Sequence, residues 1–455
     1  MTRATDMTTG NPFRLLIRFS LPLLFGNMFQ QMYSMVDTAV VGRVEGVGAL
    51  ASMGAVGWLD CLVLWVVTGF AAAFSIEISQ QFGAGNIEKM KKAICMAALM
   101  SAVLAVTLTA VSLSFLRPAL QLLGTPENII DGSQTYSTII FSGLTVIISY
   151  NLLASILRAI GDSKTPLVAM IIASLVNVCL DLLFVAVFHW GIAGAAFATM
   201  FAQISSCIYC LTIILRSPLL KLSRANWSID KQMLRRLFKL GAPLALQNII
   251  IACGGLVLQS HINSFGYIFV AGVTAGIRMV GLMQMASISF GSAVSTYVGQ
   301  NLGARNYDRI RKGVTSATKL SLIVSTSLAI ICLLAGKWLL RLFVSGDAET
   351  VAGAVGYAYE YLTCGSIMLF ALYLISVYRS ALQGLGDTVI PMFSGFVELA
   401  FRLTMVFILP HFIYEWGIYC SEVSAWFASA VMLGIFYFLR AKKLGKDPEP
   451  LESEA

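Results

Sequence analysis

Charged residues are scarce in this chain. Asp, Glu, Lys and Arg make up 12% of the 455 residues, about half the ~25% share found in an average soluble domain. Hydrophobic residues reach 58% and the mean hydropathy is +0.80, which is more apolar surface than one water-soluble core can bury. The net charge of +8 does not indicate nucleic acid binding, because the basic residues flank apolar runs and do not form a soluble basic face.

Catalytic and metal-binding signatures are also missing. The chain has only three histidines, and it contains no HExxH helix, no Gly-x-x-x-x-Gly-Lys-[Ser/Thr] loop and no Gly-x-Ser-x-Gly nucleophile turn. Among the nine cysteines, Cys207 and Cys210 have CxxC spacing, but they lie inside an apolar run without a second pair. These absences predict a protein that is not an enzyme and needs no cofactor, with cysteines that serve as small packing residues.

The chain instead consists of long apolar runs. Twelve can be distinguished, and several exceed the ~20 residues needed to cross a bilayer, which implies tilt or kinks. They predict an all-α polytopic membrane protein with twelve transmembrane helices. The runs cover residues 15–41, 47–80, 93–116, 133–157, 165–188, 193–215, 238–263, 267–299, 313–336, 352–382, 389–411 and 417–440.

The distribution of basic residues predicts the orientation of these spans. Of the 31 Lys and Arg residues, 24 lie in the loops, the termini or the span ends that face one side, including Arg379. Four lie on the opposite side, and Arg278, Lys319 and Arg402 fall within spans. Because basic residues are retained on the inner face of a membrane, both termini are predicted to be cytoplasmic in a multi-pass protein of the cell membrane.

The two halves of the chain repeat the same motifs. Leu21-Pro22 matches Ala242-Pro243, and Gly161-Asp162 matches Gly386-Asp387 at an offset of 225. Because each half has six spans, the halves are expected to form two lobes of the same orientation around a central cavity. The predicted division is an amino-terminal lobe at 1–215, a basic cytoplasmic linker at 216–240, a carboxyl-terminal lobe at 241–445 and a short disordered tail at 446–455.

Ionisable residues inside the spans are candidate functional groups, since a carboxylate at the bilayer centre costs about 2.5–3.5 kcal/mol on insertion scales. Asn177 and Asp181 are four residues apart and share one helical face. With Asp37 and Thr199 they offer two carboxylates, an amide oxygen and a hydroxyl. Such oxygen donors suit Na⁺, whereas two adjacent carboxylates would also make a proton site. A purely structural role in hydrogen bonding is the alternative.

The first span carries a combination of motifs that resembles a known family. Leu21-Pro22 is followed by Gln30-Gln31-Met32-Tyr33 and by Val36-Asp37-Thr38-Ala39. With the paired Gly-Ala-x-Asn turns at 83–86 and 303–306 and the paired Gly-Asp turns, this pattern resembles the multidrug and toxic compound extrusion (MATE) family, and within it the bacterial DinF-like branch. The resemblance implies export of cationic, amphipathic compounds in exchange for inward H⁺ or Na⁺. It also implies that the family's amino-terminal cation site falls on Asp37, Asn177, Asp181 and Thr199.

Further residues are candidates for lining the cavity or binding substrate. Glu398 and Arg402 are four residues apart, so they are expected either to neutralise each other or to face the cavity. At the repeat offset, Arg402 and Val406 occupy the positions of Asn177 and Asp181, which predicts that ion coupling is confined to the first half. The full set of cavity and substrate candidates is Gln30, Tyr33, Asp60, Met283, Glu398 and Arg402.

The predicted function is therefore that of a secondary antiporter for amphipathic cations, acting as a monomer in the lipid bilayer. A channel is less well suited, because duplicated six-span halves favour alternating access over a symmetric pore. The remaining alternative is a lipid-linked saccharide flippase of the same superfamily. Such a flippase should hold pyrophosphate with basic residues in its cavity, whereas carboxylates outnumber basic residues within these spans.

Overall fold

A computed structural model of the protein describes residues 4–343 and 348–445, so the predicted tail at 446–455 lies outside the described residues. Within them the chain forms fifteen α-helices and no β-strand. The helices are α1 (Pro12–Val44), α2 (Val47–Gly83), α3 (Ile87–Leu122), α4 (Glu127–Ser142), α5 (Leu144–Ala159), α6 (Lys164–Asp181), α7 (Gly191–Leu215), α8 (Lys231–Ile262), α9 (Tyr267–Gly303), α10 (Tyr307–Leu340), α11 (Ala348–Ile367), α12 (Leu369–Gly384), α13 (Val389–Ile408), α14 (Pro410–Ile413) and α15 (Glu415–Lys443). A π-helical segment, Leu182–Val187, continues α6.

Most of these helices are long and apolar enough to cross a membrane. In the described part of the chain nine qualify singly, counting each helix with its short continuations, and two bent pairs raise the number to eleven. The pairs are α4 with α5, bent by 48°, and α11 with α12, bent by 49°. At the first bend, the side chain of Met200 occupies the space beside Gly143 that a Cβ atom would need. The predicted all-α polytopic fold is confirmed.

The first predicted span corresponds to α1, which is not among the eleven. Its 33 residues extend for about 50 Å at 1.5 Å per residue, which is longer than a bilayer's hydrocarbon core. Its polar residues, Gln30, Gln31 and Asp37 among them, lower its hydropathy. The predicted span that is not apolar enough to be counted therefore carries three of the candidate site residues, Gln30, Tyr33 and Asp37.

The chain groups into two compact units. One contains residues up to 6 together with Leu21–Ala245, and the other contains Met7–Ser20 together with the residues from 246 onward. These boundaries differ from the predicted division, since residues 216–240 belong to the first unit and 7–20 to the second. The sequence repeat identifies duplicated segments but does not show which segments pack together.

Contacts of the linker explain its place in the first unit. The amide of Asn226 donates to Glu88 Oε2 on α3 at 3.0 Å, and Lys92 Nζ lies 3.3 Å from Asp230 Oδ2. The first turn of α8 is capped by Asp230, which accepts a hydrogen bond from the Met233 amide at 3.0 Å. The carboxyl end of the predicted linker is therefore the start of a helix.

The repeated motifs form equivalent turns in the two units. Gly85 and Arg305, which occupy matching positions, both have positive φ, 70° and 57°. Asp162 accepts hydrogen bonds from the Lys164 and Thr165 amides at the start of α6, and Asp387 accepts one from the Ile390 amide at the start of α13. The Gly-Asp motif thus begins a helix in each half, as a helix-capping carboxylate does.

Candidate ion-coupling site

Two helices that are far apart in sequence bring the candidate carboxylates together. A Cβ atom on Gly26 of α1 would lie 3.8 Å from the Leu167 Cα on α6, so the two backbones approach closely. Asp37 and Asp181 lie 11 and 14 residues further along their helices, and their carboxyl groups are near enough to share a hydrogen bond when one carries a proton. The two helices therefore run in the same direction and meet again at this pair.

The cluster around this pair is buried, and most of its polar atoms have no hydrogen-bond partner among the described residues. Asp37 is 7% exposed, and Asn177 and Asp181 are fully buried. Among the described residues, no group satisfies Asp37 Oδ1, either oxygen of Asp181 or either polar atom of the Asn177 amide. Thr199 is half-buried on α7, which packs along α6. Buried polar groups are normally hydrogen-bonded, so these unsatisfied oxygens are candidate ligands for a cation.

The backbone changes its helix type at this site. The segment from Leu182 to Val187, directly after Asp181, is π-helical. Its Phe184 lies against Gly194 of α7, where a Cβ atom would be 3.2 Å from the Phe184 carbonyl oxygen. π-helical turns within α-helices occur frequently at functional sites. Sequence reasoning did not predict this feature.

Several polar side chains surround the carboxylates. The phenol of Tyr33 lies between the side chains of Gln30 and Gln203 and within electrostatic range of both carboxylates. Tyr136 of α4 is within electrostatic range of Asp37, Asp181 and Tyr33. Sequence reasoning missed Tyr136 and Gln203. Gln203 follows Thr199 by four residues on α7, so the helical period could have identified it.

Asp60 of α2 lies beside this cluster. Its carboxyl group faces the Ser137 hydroxyl of α4 and interacts electrostatically with Tyr136. Ser137 is fully buried, and among the described residues neither its hydroxyl nor Asp60 Oδ1 forms a hydrogen bond of good geometry. Asp60 was predicted as a cavity residue, and the structure places it within the first unit.

None of the ion pairs within the described residues involves Asp37, Asp60 or Asp181. Nor do these residues include a group of three or more His, Cys, Asp or Glu side chains arranged to hold a metal ion. The oxygen cluster consequently combines two carboxylates with neutral donors. That set resembles a site for a monovalent cation or a proton more than a multivalent metal centre.

The second unit pairs its buried charges differently from what the sequence predicts. Glu398 of α13 forms an ion pair with Arg379 of α12 and accepts a hydrogen bond from the Ser429 hydroxyl of α15 at 3.1 Å. The prediction that Glu398 pairs with Arg402 is wrong, because partners on neighbouring helices lie closer than the residue one turn away. Arg379, which the distribution of basic residues assigned to the cytoplasmic side, is part of α12.

Arg402 instead faces α15 and α8. Its guanidinium lies 3.6 Å from Glu422 Oε1 and donates to the Ile251 carbonyl at 3.4 Å. Glu422 also accepts a hydrogen bond from the Tyr361 hydroxyl at 2.5 Å. A Cβ atom on Gly254 would lie 2.7 Å from Arg402 Nη1, so this glycine makes room for the arginine. Arg379 and Arg402 therefore each have a carboxylate partner.

The remaining candidates differ in exposure. Gln30 is exposed and Tyr33 is half-buried, so both have surface to offer a substrate. Met283 is 5% exposed and packs inside the second unit, where its carbonyl accepts a hydrogen bond from Tyr373 at 2.8 Å. Glu398 and Arg402 are also buried.

Comparison with known proteins identifies the family. The MatE family profile matches residues 22–183 and 243–408, one match in each half of the internal repeat. The chain belongs to the MatE family. The predicted resemblance to MATE transporters is confirmed, and so is the twelve-helix, two-lobe class of fold that MATE structures share.

Relatives extend this result. YpnP of Bacillus subtilis, a probable multidrug resistance protein, is 32% identical to this MatE chain over 363 residues, which cover 79% of the chain and 80% of the relative. An FAD transporter of Shewanella oneidensis is 26% identical over 381 residues, covering 80% and 82%. A solved MOP superfamily transporter from Pyrococcus furiosus superposes with a TM-score of 0.92 at 20% identity, covering 98% of this chain and 100% of that one. These findings make the chain a multi-pass membrane protein of the MatE family, similar both to a probable multidrug resistance protein and to an FAD transporter.

Proposed function

We propose that this MatE protein is a secondary antiporter that exports cationic, amphipathic compounds in exchange for H⁺ or Na⁺ moving inward. The observation that carries the proposal is the pair of buried carboxylates, Asp37 and Asp181, which meet without a basic partner among the described residues. Asn177 and Thr199 complete the coupling site.

The physical reason is the cost of burying charge. Two carboxylates in contact repel each other, and each loses hydration when buried. A proton on one of them, or a Na⁺ ion between them, removes the repulsion and satisfies the unpaired oxygens. The cluster therefore has a strong preference for a bound cation, and that preference can be used to drive a conformational change.

Competition links the cation to the substrate. Asp37 lies on α1 one helical turn after Tyr33, which has surface available to a substrate. When the cluster holds no cation, its negative charge attracts an organic cation to this part of α1. When H⁺ or Na⁺ binds, the charge is neutralised and the organic cation loses its counter-charge. A ligand shifts a conformational equilibrium only by its difference in affinity between the two states, and neutralisation provides that difference.

The second unit supports an asymmetric mechanism. Its buried carboxylate Glu398 and its half-buried carboxylate Glu422 are paired with Arg379 and Arg402, so they already have positive partners. The same pairing argues against a lipid-linked saccharide flippase or a carrier of another phosphate-bearing anion, which would need unneutralised basic groups. We therefore place ion coupling in the first unit.

The location and assembly of the transporter follow from the same reasoning. The excess of Lys and Arg on one side of the spans supports cytoplasmic termini and a plasma membrane location. Because one chain supplies both halves of the repeat, a monomer is sufficient for transport.

Vesicle transport tests the proposal. Everted membrane vesicles containing the protein should accumulate ethidium when an outward-directed H⁺ or Na⁺ gradient is imposed separately, and the gradient that drives uptake identifies the coupling ion. Vesicles without the protein are the control. Uptake that requires ATP and ignores both gradients would contradict the antiport assignment, and uptake of FAD in place of ethidium would contradict the cationic substrate.

A further inference from the structure

A third carboxylate within the spans, the half-buried Asp60, remains unexplained by the coupling site. It lies on α2, whereas Asp37 and Asp181 lie on α1 and α6. Its nearest polar neighbour is Ser137 of α4. Tyr136, the residue before Ser137, interacts electrostatically with all three carboxylates.

The surroundings of Asp60 favour a small ligand. Ser137 is fully buried, and its hydroxyl forms no hydrogen bond of good geometry with the described residues although it faces a carboxylate. Asp60 Oδ1 is likewise without a partner in this part of the chain. An unsatisfied buried hydroxyl beside an unsatisfied carboxylate is costly. A large organic cation has no access to the buried Ser137 hydroxyl, whereas a proton or a bare Na⁺ ion could satisfy both groups.

Asp60 also forms a position separate from the coupling pair. The described side chains include no group of three carboxylates close enough to hold one metal ion together. One cation between Asp37 and Asp181 therefore leaves the charge of Asp60 uncompensated, and no described Lys or Arg pairs with it.

We propose that Asp60 and Ser137 bind a second monovalent cation, so that each transport cycle admits two cations for each substrate exported. The inference rests on the proposed antiport function and adds its stoichiometry. Exchange of two monovalent cations for one singly charged substrate moves one net positive charge inward per cycle, whereas one-for-one exchange moves none. The second site therefore makes transport of such a substrate sensitive to the membrane potential.

Proteoliposomes containing the full-length protein test this inference, with ethidium as the singly charged substrate and a K⁺ diffusion potential set by valinomycin. The measured quantity is the ethidium gradient at which net flux vanishes under a fixed ion gradient. For the wild type this balancing gradient should shift about tenfold for each ~60 mV, the factor that applies to one net charge. In Asp60→Asn the shift should disappear while ion-driven ethidium transport remains.

The matched control is Asp131→Asn, the same substitution at an exposed carboxylate of α4, which should keep the wild-type shift. If Asp60→Asn keeps it too, the inference is wrong. Weaker ethidium affinity with an unchanged shift would likewise overturn it, because Asp60 would then bind substrate. If the wild type shows no ion-driven ethidium transport, the proposed function itself fails, which is a distinct outcome.

Ser137→Ala keeps the inference testable if Asp60→Asn does not fold. This change removes only a hydroxyl and leaves all three carboxylates in place. A hydrogen bond to a charged group contributes enough that its loss should raise the ion concentration for half-maximal transport about tenfold, with the shift per ~60 mV unchanged. An unaltered ion dependence would remove Ser137 from the second site.

Discussion

Replacement of Asp37 by Asn tests the coupling site in a single atom exchange. The amide has nearly the same size and shape as the carboxyl group, so the packing of α1 against α6 should be retained. The change removes one of the two negative charges that meet in the buried cluster. A neutral amide cannot take up a proton at the pH of a cell, and it attracts Na⁺ far less strongly than a carboxylate does.

The magnitude follows from electrostatics. A monovalent cation about 4 Å from one carboxylate gains about 4 kcal/mol at an effective dielectric constant of 20, which corresponds to an affinity ratio of about 1000. Asp37 is 7% exposed, and penetrating water reduces this value. We therefore expect Asp37→Asn to weaken Na⁺ binding between 10- and 1000-fold, by order of magnitude, and to abolish coupling if the ion is H⁺.

The assay is resistance to ethidium in bacteria that lack their own efflux pumps, with the amount of protein in the membrane measured in parallel. Asp37→Asn should be as sensitive as cells without the transporter at normal expression. Asp131→Asn is the control, because its side chain is 81% exposed and pairs only with Arg117 at 3.4 Å. Full resistance in Asp37→Asn would refute the assignment of coupling to this cluster.

Three further predictions concern stability and are measured as thermal unfolding midpoints of the detergent-purified protein. Glu398→Gln should lower the free energy of unfolding by about 3 kcal/mol, because it leaves the largely buried Arg379 without its carboxylate. An unfolding midpoint equal to that of the wild type would mean that the pair is not buried in the membrane protein. Gly194→Ala should lower the free energy of unfolding by about 1–3 kcal/mol through overpacking, because its new Cβ would lie 3.1 Å from the Phe184 side chain in the π-helical segment. Gly54→Ala, which meets nothing within 4 Å, should be tolerated, and equal effects at both glycines would contradict the close approach. The pKa of Asp230 is lowered by the amide hydrogen bond at the start of α8 and by a lysine ammonium. Its carboxylate therefore stabilises the fold above pH ~4. This contribution is lost as the pH falls through the lowered pKa. The difference between wild type and Asp230→Asn should therefore narrow as the pH is lowered from 7 towards 3, and a difference independent of pH would exclude a role for the charge.

Residue types in the first half allowed the coupling cluster to be predicted before the structure. Asn177 and Asp181 could be placed on one face of a helix because their spacing matches the helical period. The contact of Asp37 with these residues depends on the packing of two helices that are separated by more than 100 residues. Only the family resemblance indicated it in advance. The π-helical segment after Asp181 left no recognised signal in the sequence.

The charges of the second half show the limit of local spacing. Glu398 and Arg402 fit the i, i+4 rule, yet each pairs with a residue on another helix. In a bundle, residues of neighbouring helices compete with residues one turn away, and the packing angle decides which contact is made.

The sequence by itself determined that this is a membrane protein, and it determined the helical class, the internal repeat and the family. These properties are local or periodic, since hydropathy, turn motifs and helix length are set by residues close together in the chain. The tertiary structure decided which charges within the spans form ion pairs and which have no basic partner among the described residues. Pairing depends on contacts between distant helices, and it separates the two arginine-carboxylate pairs of the second unit from the unpartnered carboxylates Asp37, Asp60 and Asp181 of the first.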